Sequence, residues 1–273
     1  MKFDMGAAWN TATGLIGKNR DMIVVVAGVF FFLPYLATTL LMPQAMNPPV
    51  ANPEDMQAML AVMQQTYIDY WWVMLIIFVS QGIGTLALLV LLTDRARPTL
   101  GDALKRGAVS FPSYFAANIL VVLVAAVAIM LPVGLGFATG VAAIMVLAVM
   151  LAIPLVFYLM VKFSLIMPVI AVDGILNPVQ ALARSWRLTK GNSLRLFLFY
   201  FLLLIAVTVV ILLATLVLGV VFAAIGGEVE LIGNGIVTSL VNAGFVVIFL
   251  AVLAGVHRQL AGERPEELSE TFE

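Results

Sequence analysis

The side chains able to do acid–base or metal chemistry in this chain are few, and they sit at the ends of long hydrophobic runs. There is one histidine, His257, followed directly by Arg258, and there is no cysteine. Without thiols the chain can hold no disulfide, thiolate metal site or cysteine nucleophile, and a lone imidazole supplies no zinc or haem ligand set, so no cofactor is expected. No carboxylate partner for His257 is apparent in the sequence, so it reads as an interfacial side chain rather than a proton-transfer group. Lys162 and Asp173 lie eleven residues apart, about three turns, and on an unbroken helix they would share a face as a proton or ion relay; the competing reading is a lysine that snorkels its charge to an interface.

Inside the hydrophobic runs the polar groups are amides and hydroxyls, among them Gln81, Asn118, Asn242, Thr208, Thr215 and Ser239. Gln81 and Asn242 can either line a solute path or hydrogen-bond between helices, each such bond worth about 0.6 kcal/mol. Ser80 and Gly84 flank Gln81 as a small-xxx-small pair suited to a close helix contact. No acid falls at mid-run depth, where a membrane enzyme or pump would keep one. Gly226, Gly227, Gly233 and Gly235 are not followed by a basic residue and read as turn glycines rather than a phosphate cradle.

The cations are more informative. Residues 177–192, NPVQALARSWRLTKGN, open with Asn177 as a helix cap and Pro178 at a first position that needs no amide donor, and close with Gly191 and Asn192. Val179, Leu182, Ala183 and Trp186 follow i, i+3, i+4, i+7 spacing, while Gln180, Arg184, Arg187 and Lys190 fall outside that stripe. Such a helix suits a membrane surface, with Trp186 as apolar anchor. A second segment from Thr99 sets Leu100, Ala103, Leu104, Gly107, Ala108 and Phe111 against Asp102, Lys105 and Arg106, and DALKRG at 102–107 aligns with QALARS at 180–185, 78 residues on. Lys105, Arg106, Arg184, Trp186, Arg187 and Lys190 are therefore candidate contacts for anionic lipid headgroups, at about 1 kcal/mol per nearby charge. Orientation alone is the alternative reading of the same charges.

The elements that must position these groups are membrane spans. Of 273 residues, 63% are hydrophobic and 11% charged, with a mean hydropathy of +1.12, against roughly 25% charged in soluble domains. We expect an all-α polytopic protein with spans at about 22–42, 70–92, 114–135, 141–161, 196–222 and 236–256. The run at 22–42 has 21 residues, longer than the roughly 7–15 of a signal-peptide core, and Pro34 should kink it. Residues 1–21, with Met5, Ala8, Trp9, Ala12 and Ile16 able to share a face, form a third amphipathic surface helix, so a threefold repeat of surface helix plus hairpin is possible. A proline-rich outer loop occupies 43–69, ending at an aromatic belt of Tyr67, Tyr70, Trp71 and Trp72. Short outer turns are expected at 136–140 and 223–235, Pro154 and Pro168 should bend the long apolar run that ends at Val172, and residues 261–273 form an acidic tail.

Charge asymmetry orients this layout. All 14 Lys and Arg residues fall on one side of the expected spans, and Glu54, Asp55, Asp69, Glu228 and Glu230 on the other. Positive-inside bias then puts both termini in the cytoplasm. The net charge of −1 gives no ground for a nucleic-acid partner.

The segment PVIAVDGILNPVQALARSWRLTKGN, residues 168–192, resembles the pattern of bacterial inner-membrane proteins of the YciC type and of the related membrane domain attached to some glycerophosphoryl diester phosphodiesterases. The resemblance implies an integral inner-membrane protein, with membrane phospholipids and a lipid-related enzyme as partners. It implies no catalytic residues, because the phosphodiesterase chemistry of that family belongs to a separate soluble barrel. The expected role is non-enzymatic, a membrane scaffold or lipid-interacting domain; the alternative is a transporter or channel with Pro34, Pro132, Pro154, Gln81 and Asn242 along its path.

Overall fold

A computed structural model describes residues 2–42, 56–93 and 98–262. Residues 43–55 of the expected proline-rich loop, residues 94–97 and residues 263–273 of the expected acidic tail lie outside the described residues. The described chain is helical: α1 (Met5–Lys18), α2 (Arg20–Leu41), α3 (Met56–Thr93), α4 (Leu100–Ala138), α5 (Ala142–Phe163), α6 (Ile166–Ala171), α7 (Pro178–Leu188), α8 (Ser193–Ile225) and α9 (Gly227–Ala261). Six stretches are long and apolar enough to cross a membrane: α2, α3, α4, α5 with α6, α8 and α9.

Local chemistry sets the boundaries. Thr99 caps α4, its hydroxyl accepting from the Asp102 N–H at 3.2 Å and donating to the Asp102 carboxylate at 2.7 Å. The segment expected as a separate second surface helix is the first turns of α4, which runs 39 residues through Pro112 and Pro132 without a break. At about 1.5 Å per residue such a helix is nearly twice the roughly 30 Å hydrocarbon layer, so its charged first turns need no hinge to stand outside it. Likewise residues 56–69, expected as part of the outer loop, are helical and continuous with the second span in α3. Pro34 is accommodated by a π-helical turn, Gly28–Phe32, immediately before it, where the wider turn absorbs the missing N–H and the ring's clash with the preceding carbonyl. The run ending at Val172 breaks between α5 and α6, at Ser164 and Leu165. Pro168 forces that break, because it can neither donate to the Ser164 carbonyl nor pack its ring against it. The turn between α4 and α5 pivots on Gly140, φ +65°. The connection expected at 223–235 shrinks to Gly226, with φ +74° there and +61° at Gly227, and Glu228 and Glu230 sit in the first turn of α9 where the helix dipole favours them.

The chain divides into two compact units, one of residues 1–19, 86–204 and 250–273, the other of residues 20–85 and 205–249. In the first, Leu86, Tyr114, Ala117, Ile166, Val169, Ile170 and Ala181 form a buried cluster flanked by Phe111, Phe163, Leu182 and Leu188. The same unit seats α1 through Ala8, Ala12 and Leu15, with Gly255 beneath it: a Cβ on Gly255 would stand 2.6 Å from the Ala8 carbonyl oxygen. The chain entry is tied down by the Phe3 N–H donating to the Asn192 side chain at 2.9 Å and by the Phe3 and Phe199 rings at 5.5 Å. In the second unit, Gly84 meets Phe30 so closely that a Cβ would lie 2.5 Å from the phenylalanine Cβ, the close contact read from the Ser80 and Gly84 pair.

Candidate functional site

α7 and the turn before it assemble the polar groups of the first unit. Asn177 caps α7 by accepting from the Val179 and Gln180 N–H groups at 3.0 and 3.1 Å, and Gly191 follows it with φ +82°. The helix docks through its small residues. Ala181 and Ser185 are wholly buried, as is Thr189 just beyond. Ser185 closes the break that Pro168 causes: its hydroxyl donates to the Lys162 carbonyl at 2.7 Å and accepts from the Leu165 N–H at 3.3 Å, supplying both groups with partners lost from the helix ladder.

The apolar stripe of α7 points the other way. Val179 is 63% and Trp186 37% exposed, and Ala183 is exposed too. On a helix these three lie opposite Ala181 and Ser185, with the exposed Lys190 continuing their line just past the helix end and Arg187 beside it. Of the four members of the expected stripe, only Leu182 turns toward the protein interior.

Asp173, in the turn between α6 and α7, lies between an imidazole and a guanidinium. Its Oδ1 lies 3.0 Å from His257 Nε2 and its Oδ2 3.3 Å from Arg184 Nε. This corrects two expectations. His257 is not interfacial but completely buried, and it has a carboxylate neighbour that the sequence hides 84 positions away. Nor do Lys162 and Asp173 share a helix face, since the break at Ser164 and Leu165 separates them. Burial of the Asp173 carboxyl pushes its pKa up, but the contact and charge of His257, and then those of Arg184, outweigh this and hold it below its ordinary value. The His257–Asp173 approach lacks hydrogen-bond alignment, and both ring nitrogens are buried without a hydrogen-bond partner among the described residues. An imidazole so enclosed has no open face for a substrate. The cluster acts as a staple between the turn before α7 and the end of α9, where Arg258 also reaches the Thr93 carbonyl at 3.4 Å. Among the described residues there is no group of three or more His, Cys, Asp or Glu that could hold a metal ion.

Lys162 is the unexpected member of this region. The residue as a whole is 3% exposed. Its ammonium lies 5.4 Å from the Tyr158 ring centroid and 5.1 Å from that of Trp186, and no carboxylate of the described residues lies within 4 Å of it. A cation–π contact of this kind is worth about 0.5–2 kcal/mol.

The remaining expected contacts are placed apart. Lys105 and Arg106, with Asp102 and Ser110, line a cleft of about 500 Å³ whose other wall is Ile170, Ala171, Val172, Gly174 and Leu176. Arg184 is engaged with Asp173. Gln81 and Asn242 belong to the second unit; no side-chain hydrogen bond joins them among the described residues, and the Asn242 Nδ2 is buried without a partner there.

Six long apolar helices carrying their cations near helix ends define a polytopic helical membrane protein. Residues 135–262 match the family model of the membrane domain of glycerophosphoryl diester phosphodiesterase, which bears out the likeness read from residues 168–192. The match takes in Lys162, Asp173, α7 and His257, and it is to a membrane domain rather than a catalytic one. No curated protein and no solved structure matches the chain.

Proposed function

We propose that this protein is a non-catalytic membrane domain of a bacterial inner membrane, both termini cytoplasmic, that holds anionic phospholipid headgroups at its basic end and scaffolds a lipid-related enzyme there. The observation that carries this reading is the outward stripe of Val179, Ala183 and Trp186 with Arg187 and Lys190 beside it. An apolar stripe turned away from the protein core has the headgroup layer as its natural solvent, and the flanking cations favour anionic lipids. Lys105 and Arg106 in their cleft add a second basic surface. Native mass spectrometry of protein released gently from its membrane tests the reading: the wild type should retain anionic phospholipid, and replacing Arg184, Arg187 and Lys190 together by Gln should weaken retention by at least about tenfold. Retention unchanged by the triple substitution would refute it.

A transport role has one observation in its favour, the Asn242 Nδ2, which is buried without a hydrogen-bond partner among the described residues. If that amide lines a solute path, Asn242→Leu with Gln81→Leu changes flux in proteoliposomes while leaving thermal stability intact; a change in stability alone marks both as packing residues.

A further inference from the structure

The cleft beside the first turns of α4 has two walls of opposite character, both within the first unit. The α4 wall grades from charged to apolar in the direction in which the helix runs on into its span: Asp102, Lys105 and Arg106 come first, then Val109 and Ser110. All five positions fall within one face of the helix. The facing wall, from Ile170 to Leu176, carries no charge. Asp173 lies within that stretch, but its carboxylate meets His257 and Arg184 and does not line the cleft. Asp102, whose carboxylate takes the Thr99 hydroxyl at 2.7 Å, offsets one of the two cations, so the cleft has a single net positive charge. Along the helix Ser110 lies about 12 Å beyond Asp102, further than the roughly 5–8 Å depth of a headgroup layer. A cleft of this length reaches from headgroup depth to the first carbons of the chains.

From this we infer that the cleft binds one anionic phospholipid, with its phosphodiester at Lys105 and Arg106, its glycerol oxygens at Ser110 and the start of its chains between Val109 and the wall of Val172 and Leu176. The inference rests on the proposed binding of anionic lipid at the basic end and assigns a single-lipid site within it. One phosphodiester anion cancels the net charge of the cleft, whereas a headgroup with its own ammonium leaves that charge uncompensated. Free phosphate shares the oxyanion chemistry, but it would fill only the cationic end of a space of about 500 Å³ and leave the apolar wall bare. Val109 and Leu176, 60% and 45% exposed, are apolar surface that acyl chains would cover.

Photo-crosslinking of the full chain in phosphatidylcholine vesicles tests this, with a trace of phosphatidylglycerol carrying a diazirine on the first carbons of one acyl chain. Peptide mapping should find the label on residues 172–176, and unlabelled phosphatidylglycerol should compete for that position about fivefold better than phosphatidylethanolamine. Lys105→Gln with Arg106→Gln should lower the labelling there at least about tenfold. Val109→Trp, at an exposed position, fills the cleft without changing its charge and should lower the labelling as much. The combined α7 substitutions Arg184→Gln, Arg187→Gln and Lys190→Gln should leave it in place. Labelling of α7 but not of residues 172–176 overturns the site and leaves the broader lipid-binding role standing. Labelling of residues 172–176 that survives Val109→Trp, or that falls equally with the α7 substitutions, shows a diffuse charged surface and also overturns the site alone. Labelling at neither place overturns both. Competition by inorganic phosphate as effective as that by phosphatidylglycerol makes the occupant a soluble anion and overturns the lipid assignment.

Discussion

Asp173 holds His257 and Arg184 together at 3.0 and 3.3 Å, and its ionised form is what makes the staple. Because the folded carboxyl titrates below its ordinary value of 3.8, this stabilisation is fully present above the unfolded pKa and is lost as pH falls through the lower folded one. Asp173→Asn should therefore cost about 1–3 kcal/mol near neutral pH, read as a lower thermal midpoint, with the difference from wild type vanishing in strong acid. A constant difference across that range would contradict the role assigned to the charge. At this scale the sequence was least legible. His257 and Asp173 are 84 positions apart and meet only through tertiary packing. Ser185 looked like an ordinary polar residue on a short helix, yet it repairs the break caused by a proline 17 residues earlier. The one available signal was its small size on the side of α7 opposite Trp186.

Among the elements, α1 and α7 share a rule. Each turns its small residues inward, Ala8 and Ala12 in α1, Ala181 and Ser185 in α7, and leaves its tryptophan outside. Close approach of two backbones selects residues without bulk, so the docking face is the small one and the large side chains are left outside. Hydrophobic periodicity identified both helices, and the caps Asn177 and Gly191 were legible from residue type. What periodicity could not tell was which way the stripe faces, because a lipid surface and a protein core attract the same side chains. Nor did it separate a surface helix from the first turns of α4, since nothing in residues 100–138 stops a helix except Pro112 and Pro132, which this helix tolerates. The seat of α1 makes a direct prediction: Gly255→Leu puts side-chain atoms where the Ala8 carbonyl stands, 2.6 Å from the first of them. We expect a loss of about 1–3 kcal/mol and release of α1 to limited proteolysis near Lys18. Unaltered protease resistance would mean that α1 is not held at Gly255.

On the scale of the whole molecule, charge is the organising quantity. Of the 14 Lys and Arg residues, 13 belong to the unit containing α1 and α7, and only Arg20 belongs to the other, which carries six acids. The existence of six long apolar helices was legible in sequence, because a hydrophobic run of about 20 residues obeys composition rather than tertiary context; the starts of α3 at Met56 and α4 at Leu100, well before the expected 70 and 114, were not. The absence of cysteine, which told against much chemistry, makes the chain well suited to single-cysteine probes. Spin labels placed one at a time along α7 measure directly which way its stripe faces in a bilayer of mixed anionic lipid. Labels at Val179, Ala183 and Trp186 should be reached by dissolved oxygen and not by a water-soluble nickel complex, while labels at Ala181 and Ser185 should be reached by neither. Nickel access at 179, 183 and 186 equal to that at the exposed Gln180 would place the stripe in water and contradict a lipid-facing α7.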